Sequence, residues 1–384
     1  MHTSSILSLL ALAAVPLASA GNGNGNAKGS GKSCSHKGLD WYAKKAGLKY
    51  FGAATDSPGQ RERAGYESAY AKYDEIMWKS GEFGQTTPTN GQKVCLSPFF
   101  LHPLSPCPPD STSQDANRVA AQWLFTEPAQ GTFNFTEGDI VASLAAQNKK
   151  LLRCHALVWH SQLAPWVEAK KDWTKDELRA VIVSHVTNVM NHYKGQCYAW
   201  DVVNEAFNED GTFRESVFST VLGGNEFIEL AFETAFSLDP KAKLYYNDYN
   251  LESPSPKTEA VRKLVRHLQS KKIRIDGVGL QAHLIAENRP TLDEHVAAIE
   301  GFTELGVEVA LTELDVRLQT PANATNLALQ KEGYKNVSIY LLPSSILPKH
   351  MLFGGQLLIF RLKPGRRSMR PSRRMHRCHH LGFL

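Results

Sequence analysis

Between about residue 40 and residue 336 the chain alternates short apolar, β-branched or aromatic runs with longer segments of helical period. The strand candidates are KYFGAATD (49–56), FGQTTP (83–88), LLRCHALVWH (151–160), CYAWDVVNEA (197–206), LYYNDYN (244–250), GVGLQAHL (277–284) and EVALTELD (308–315). Amphipathic stretches lie between them, such as KDELRAVIVSHVTNVMNHY (175–193) and EAVRKLVRHLQSK (259–271), long enough to be crossover helices. Seven strand-then-helix units predict an α/β fold with a parallel sheet, either closed into a barrel or open and doubly wound. Two features favour the (β/α)8 barrel. The first strand is followed by no Gly-rich phosphate fingerprint. Polar or ionisable residues recur at the C-terminal ends of most strands: Asp56, Asn90, His160, Glu205, Asn247-Asp248, His283 and Glu313-Leu-Asp315. A barrel gathers those ends on one face, where its active site forms.

The periodic region has unlike flanks. Residues 1–20 carry the apolar run ILSLLALAAVPLA and end on Ala18-Ser19-Ala20, the build of a secretory signal peptide. Residues 21–36 are a Gly/Asn/Ser-rich leader with almost nothing to bury. No other stretch approaches the roughly 20 apolar residues needed to cross a bilayer, so an exported, soluble product with no membrane partner is expected. Sequons at Asn134-Phe-Thr136 and Asn323-Ala-Thr325 agree with export.

The formal net charge of +5 is unevenly placed. Residues 337–384 hold 9 Lys/Arg and no Asp/Glu, which leaves 34 basic against 38 acidic residues in 1–336. The body is therefore mildly acidic, and a basic tail without a motif or interleaved aromatics does not indicate a nucleic-acid partner. Six cysteines (34, 95, 107, 154, 197, 378) show no CxxC spacing, so no metal or redox motif is expected. Cys154 and Cys197 precede neighbouring strands at similar depth and are either a cross-strand disulfide or two buried thiols.

Glu205 and Glu313 each end an otherwise apolar strand. A pair of carboxyls is what glycosidic cleavage requires: one protonates the leaving oxygen, the other attacks or activates water, and about 5–5.5 Å between them selects the retaining route. Asn204 precedes Glu205 with an amide suited to a sugar hydroxyl, while Asp315, two residues after Glu313, is placed to hold His283 as an orienter of that carboxylate. Trp123, Trp159, Trp166 and Tyr249 offer flat faces for pyranose rings, with Trp166 the one best explained as core.

The stretches CHALVWHSQLAPWV (154–167), WDVVNEAFNEDGTFR (200–214), YNDYNLE (246–252), GVGLQAHL (277–284) and VALTELDVR (309–317) resemble, in order and spacing, the strand motifs of fungal endo-1,4-β-xylanases of glycoside hydrolase family 10. The resemblance spans residues 37–93 and 123–336 and defines a barrel domain of 37–336. It implies Glu205 as proton donor, Glu313 as nucleophile, and His155, Trp159, Gln162, Asn204, Gln281 and His283 as residues that bind or orient the sugars nearest the cleaved bond. It also implies xylan and xylo-oligosaccharides as partners, with no metal or organic cofactor. A monomer is expected of a secreted depolymerase.

Two segments depart from that family. Its members carry a run like N-x-M-K-W-x-x-x-E-P in which Asn and Lys hold distal sugars. Here Asn90-Gly-Gln-Lys93 is parted from Trp123 by residues 94–122, which contain five of the chain's 19 prolines and two of its six cysteines. Val94-Cys95 can be encoded GTATGT and Gln122 CAG, the edges of a fungal intron, so a retained in-frame intron is the expectation and a surface loop the alternative. The second departure begins at Val337-Ser338, which can be encoded GTAAGT, and leads into the acid-free tail. An eighth strand is therefore expected to be missing or garbled, which leaves strand edges open. Alternatives to a xylanase are another β-1,4-glycanase, such as a cellulase or mannanase, and an inactive carbohydrate-binding barrel.

Overall fold

The computed structural model describes residues 37–55, 72–88, 123 and 126–341 and the strand 357–359. Asp56, Asn90, Lys93, the signal and leader segments and residues 94–122 lie outside the described residues. The seven expected strands are present as β1 (Phe51–Thr55), β2 (Gln85–Pro88), β3 (Leu151–Trp159), β4 (Cys197–Asn204), β5 (Lys243–Asp248), β6 (Gly277–Leu280) and β8 (Glu308–Arg317). A short β7 (His283–Ile285) continues the line of β6 past a two-residue break and pairs with the far end of β8. The order β1 to β6 and then β8 is parallel throughout.

As expected, no parallel eighth strand is present among the described residues. Its slot holds β9 (Leu357–Ile359), a three-residue strand from the basic tail that pairs antiparallel with both β1 and β8. The two edges left open by the missing strand thus each gain a short backbone partner, and the sheet closes into a ring. The last helix, Ala324–Leu341, crosses the expected boundary at 337, and Val337 is 3% exposed within the core.

Helix starts follow their local chemistry. Lys175–His192 is capped by Thr174, whose hydroxyl accepts from the Glu177 N–H while the Glu177 carboxylate takes the Thr174 N–H. Leu292–Thr303 repeats this box with Thr291 and Glu294, and Pro256–Ser270 begins with Ser255 as cap and proline in its first turn. The helices seal the outside of the sheet with one apolar layer that includes Val181, Ile182, Phe232, Leu264 and Phe302.

Inside the ring the packing is partly ionic. The Arg153 guanidinium on β3 is bidentate to the Asp201 carboxylate on β4, both 1% exposed, and lies 4.4 Å from the Tyr245 ring centroid. Tyr245 in turn donates to Glu308 Oε2 at 2.7 Å. Burial alone would raise the Asp201 pKa, but Arg153 and His155 hold it below the ordinary carboxylate range. Four strands are tied through this buried network.

Cys154 and Cys197 form a disulfide between β3 and β4, with 5.8 Å between their Cα atoms, which settles the choice left open by the sequence. It closes a loop of 43 residues' separation, so replacing both cysteines by alanine is expected to cost about 2–4 kcal/mol in urea denaturation. An unchanged midpoint would show that the bond adds no stability.

Candidate active site

The C-terminal strand ends are level with one another. Trp159 pairs in register with Asn204, Asn204 with Asn247, and Asn247 with Gly279. Just past them the backbone turns left-handed at Gln162, Glu205, Asn250 and Ala282, with φ between +56° and +58°. Non-glycine residues take this conformation at a cost of about 1–2 kcal/mol each, and it persists where surrounding contacts fix it. At Glu205 the fixing contact is its own N–H, which donates to the Asn247 carbonyl at 2.9 Å.

That turn brings the Glu205 carboxylate back among neutral donors. Trp159 Nε1 reaches Oε2 at 2.9 Å, while Gln281 Nε2 and Asn204 Nδ2 reach Oε1 at 2.8 and 3.2 Å. Arg214 braces the backbone from behind, its Nε donating to the Glu205 carbonyl at 3.1 Å.

Glu313 owes its aim to an extra residue in β8. Leu280 pairs with Leu311 and His283 with Asp315, so Thr312, Glu313 and Leu314 stand opposite only Gln281 and Ala282. A bulge of this kind at a barrel rim redirects a side chain. Asn247 Nδ2 donates to Glu313 Oε1 at 3.1 Å, and His283 bridges Glu313 Oε2 and Asp315 Oδ2 at 3.2 Å each. Burial opposes a charge on His283, but the two carboxylates outweigh it and raise its pKa to about 10, so the ring is an imidazolium at neutral pH and donates to both.

One amide joins the two glutamates. Asn247, fully buried, donates to Asn204 Oδ1 at 2.9 Å as well as to Glu313, and its own oxygen accepts from Thr312 Oγ1 at 2.7 Å. Asn204 passes the link on to Glu205. Gly279 is what makes this possible: a Cβ there would stand 2.2 Å from Asn247 Oδ1 and 2.8 Å from the Thr312 methyl. Sequence reasoning flagged Asn247 at a strand end but did not count it among the site residues; its run of level partners appears only with strand register.

Of the other expected site residues, His155 sits deeper, 8% exposed, with Nδ1 2.9 Å from Asp201 Oδ2. Gln162 is half-buried beyond β3. Tyr249 is half-buried, with Lys257 Nζ 3.5 Å from its ring centroid and its hydroxyl accepting from Arg214. Trp123 is no sugar platform. It is 3% exposed and stacks on His185 at 3.9 Å, with its indole N–H on the buried Glu127 carboxylate. Burial among the helices won over its aromatic face. Trp166 is half-buried against Trp123 and Trp173, the core role expected of it. Half-buried His160 lines the rim beside Glu205; burial and the Arg214 charge lower its pKa to about 4, which keeps it neutral. Among the described residues no group of three or more His, Cys, Asp or Glu side chains is arranged to hold a metal ion.

The His283 bridge has a signature in stability. Its pKa is raised on folding from 6.5 to about 10, so its contribution is complete below the unfolded value and is lost as pH rises through the folded one. The stability difference between the parent and His283→Gln, measured by urea denaturation, is expected to be constant below about pH 6.5 and to shrink steadily toward about pH 10. A difference that ignores pH over that window would refute the bridge.

Comparison with known proteins agrees with this geometry. The family described as Glycosyl hydrolase family 10 matches residues 116–347. Endo-1,4-beta-xylanase A of Humicola insolens is 66% identical over 303 residues, which cover 79% of this chain and 72% of that protein. Among solved structures, a family 10 xylanase from Bispora sp. MEY-1 with xylobiose superposes with a TM-score of 0.65 at 36% identity, covering 78% of this chain and 81% of the other. Xylanase 10B of Thermotoga petrophila RKU-1, in complex with xylobiose, gives 0.66 at 30% identity over 80% and 82% of the two chains. With both carboxylates of the expected pair joined on one rim and the family match spanning more than half of its length, the chain belongs to glycosyl hydrolase family 10.

Proposed function

We propose that this glycoside hydrolase is a secreted endo-1,4-β-xylanase that cleaves internal bonds of xylan with retention of configuration. The observation that carries the reading is the Asn204–Asn247 bridge, which sets Glu205 and Glu313 at opposite ends of one short chain of amides. Their surroundings divide the work. Glu313 shares a hydrogen bond with an imidazolium, which favours the ionised form needed to attack the anomeric carbon. The three side chains that donate to the Glu205 carboxylate, Trp159, Asn204 and Gln281, are all neutral.

Glu313 adds to the anomeric carbon as Glu205 gives its proton to the departing glycosidic oxygen, leaving a glycosyl ester on Glu313. Glu205, now a carboxylate, takes a proton from water as that water opens the ester, and both carboxyls return to their starting forms. Trp159 and Gln281 hold the Glu205 carboxyl through both steps, and His283 bonds to the Glu313 oxygen opposite the one held by Asn247. Asn90 and Lys93, in the family's motif, are proposed to grip distal sugars, with His155, Gln162 and Tyr249 supporting the nearer ones. The substrate assignment rests on the matched motifs and on the activity for which these relatives are named.

Export is supported by the apolar N-terminal run, by exposed Asn134 and Asn323 in their sequons, and by the Cys154–Cys197 disulfide, a bond of oxidising compartments. The described residues include no helix long and apolar enough to cross a membrane. Residues 94–122 and the tail from 337 are proposed to be intron-derived; a cDNA joining Lys93 to Trp123 and running past Asn336 into a parallel eighth strand would establish this, and a cDNA matching the chain would refute it.

The three-residue antiparallel β9, in place of a full strand and its loop, favours a second reading, a barrel that binds xylan without turning it over. Reducing-sugar release from xylan by the parent decides between the two. The first reading expects release, a β-configured first product by proton NMR, and losses of at least about 10³-fold in both Glu205→Ala and Glu313→Ala. An α-configured product would overturn retention, faster release from soluble cellulose or mannan would reassign the substrate, and normal xylan binding with no release would favour the silent barrel.

A further inference from the structure

Glu252 closes the stretch YNDYNLE and is 3% exposed. A carboxyl so buried needs partners for its oxygens. Its Oε1 accepts the backbone N–H of Ala282 at 2.6 Å. Ala282 is fully buried and left-handed, with φ +58°, a state a residue with a Cβ does not hold unaided. The other backbone groups of this corner belong to the strands around it. Gln281 N–H donates to the Asp248 carbonyl at 2.9 Å, the Gln281 carbonyl accepts from Glu313 N–H at 3.0 Å, and the Ala282 carbonyl from Asp315 N–H at 3.2 Å. The Ala282 N–H is where a side chain, and not the sheet, fixes the turn.

The residues on either side of Ala282 each touch one of the two carboxylates. Gln281 donates to Glu205 Oε1 at 2.8 Å, and His283 bonds Glu313 Oε2 at 3.2 Å. We propose that Glu252 is a positioning residue for both: by holding the Ala282 N–H it fixes the corner that aims Gln281 at Glu205 and His283 at Glu313. This rests on the assignment of Glu205 and Glu313 made above. Burial raises the Glu252 pKa to about 7, against the pull of the Ala282 N–H and the His283 charge. Its oxygen accepts in either protonation state, so the acceptor and not the charge does the positioning.

Glu252→Gln and Glu252→Ala both lack the charge, and only the first keeps the acceptor. On xylo-oligosaccharides Glu252→Gln is expected to keep kcat within about threefold, while Glu252→Ala loses about 10- to 100-fold in kcat with KM nearly unchanged. NMR titration of His283, expected near 10 in the parent, is expected to fall further toward 6.5 in the Ala variant than in the Gln variant as the ring leaves its carboxylates. Equal kcat and equal His283 titration in the two variants, or a loss confined to KM, overturns the proposal. Should Glu252→Ala not fold, Glu252→Asp takes its place: it keeps the charge and withdraws the oxygen by one methylene, so parental kcat and titration there overturn the proposal, and losses in both support it. If the parent releases no sugar, the titration decides alone. Glu205→Ala and Glu313→Ala run alongside: turnover in either means the site assignment has failed, whereas silence in both with a flat Glu252 series sinks only the positioning role.

Discussion

The site hangs on the carboxamide of Asn247. Its two N–H bonds go to Asn204 and Glu313, its oxygen takes the Thr312 hydroxyl, and its backbone carbonyl takes the Glu205 N–H. One fully buried side chain on β5 thereby sets the positions of groups on β4 and β8. An amide suits this post because it is neutral at every pH and offers both donors and an acceptor in one plane. A carboxylate in its place would repel both glutamates, and an aliphatic residue would leave three polar partners, Asn204, Glu313 and Thr312, short of a bond in a dry environment.

Around that point the sheet departs from regularity in a consistent way. The extra residue in β8 turns Glu313 inward, the left-handed residues after β4 and β6 turn Glu205 and Gln281 toward it, and Gly279 leaves the gap in which Asn247 and Thr312 meet. These devices lie at the C-terminal rim, and beneath them inside the ring is the ionic layer of Arg153, Asp201, Tyr245 and Glu308. That layer is the frame: breaking a buried pair of this kind costs about 3–5 kcal/mol, so the strands that carry the site are hard to shift along one another. Strain at the rim is sustained by rigidity beneath it.

Strand and helix order, the parallel sheet and the pair Glu205 and Glu313 were legible in the sequence, because apolar runs and helical period are local signals and because five motifs recur in a family's order. Trp123 was misplaced as a sugar platform for the converse reason. An aromatic ring has the same letter whether it faces a groove, a lysine or the core, and the lysine beside Tyr249 is eight positions away, on the next helix.

By itself the sequence determined which residue types stand at each strand end, and so the class of reaction they can perform. Only the tertiary structure decided how they are joined: that Asn247 bridges the two glutamates, that Glu252 reaches the N–H between Gln281 and His283, that Cys154 and Cys197 are bonded, and that a three-residue antiparallel strand occupies the eighth position. The physical reason is that register between strands sets these contacts. Register follows from bulges and left-handed corners, which shift a whole strand by one residue and leave no mark in hydrophobic period.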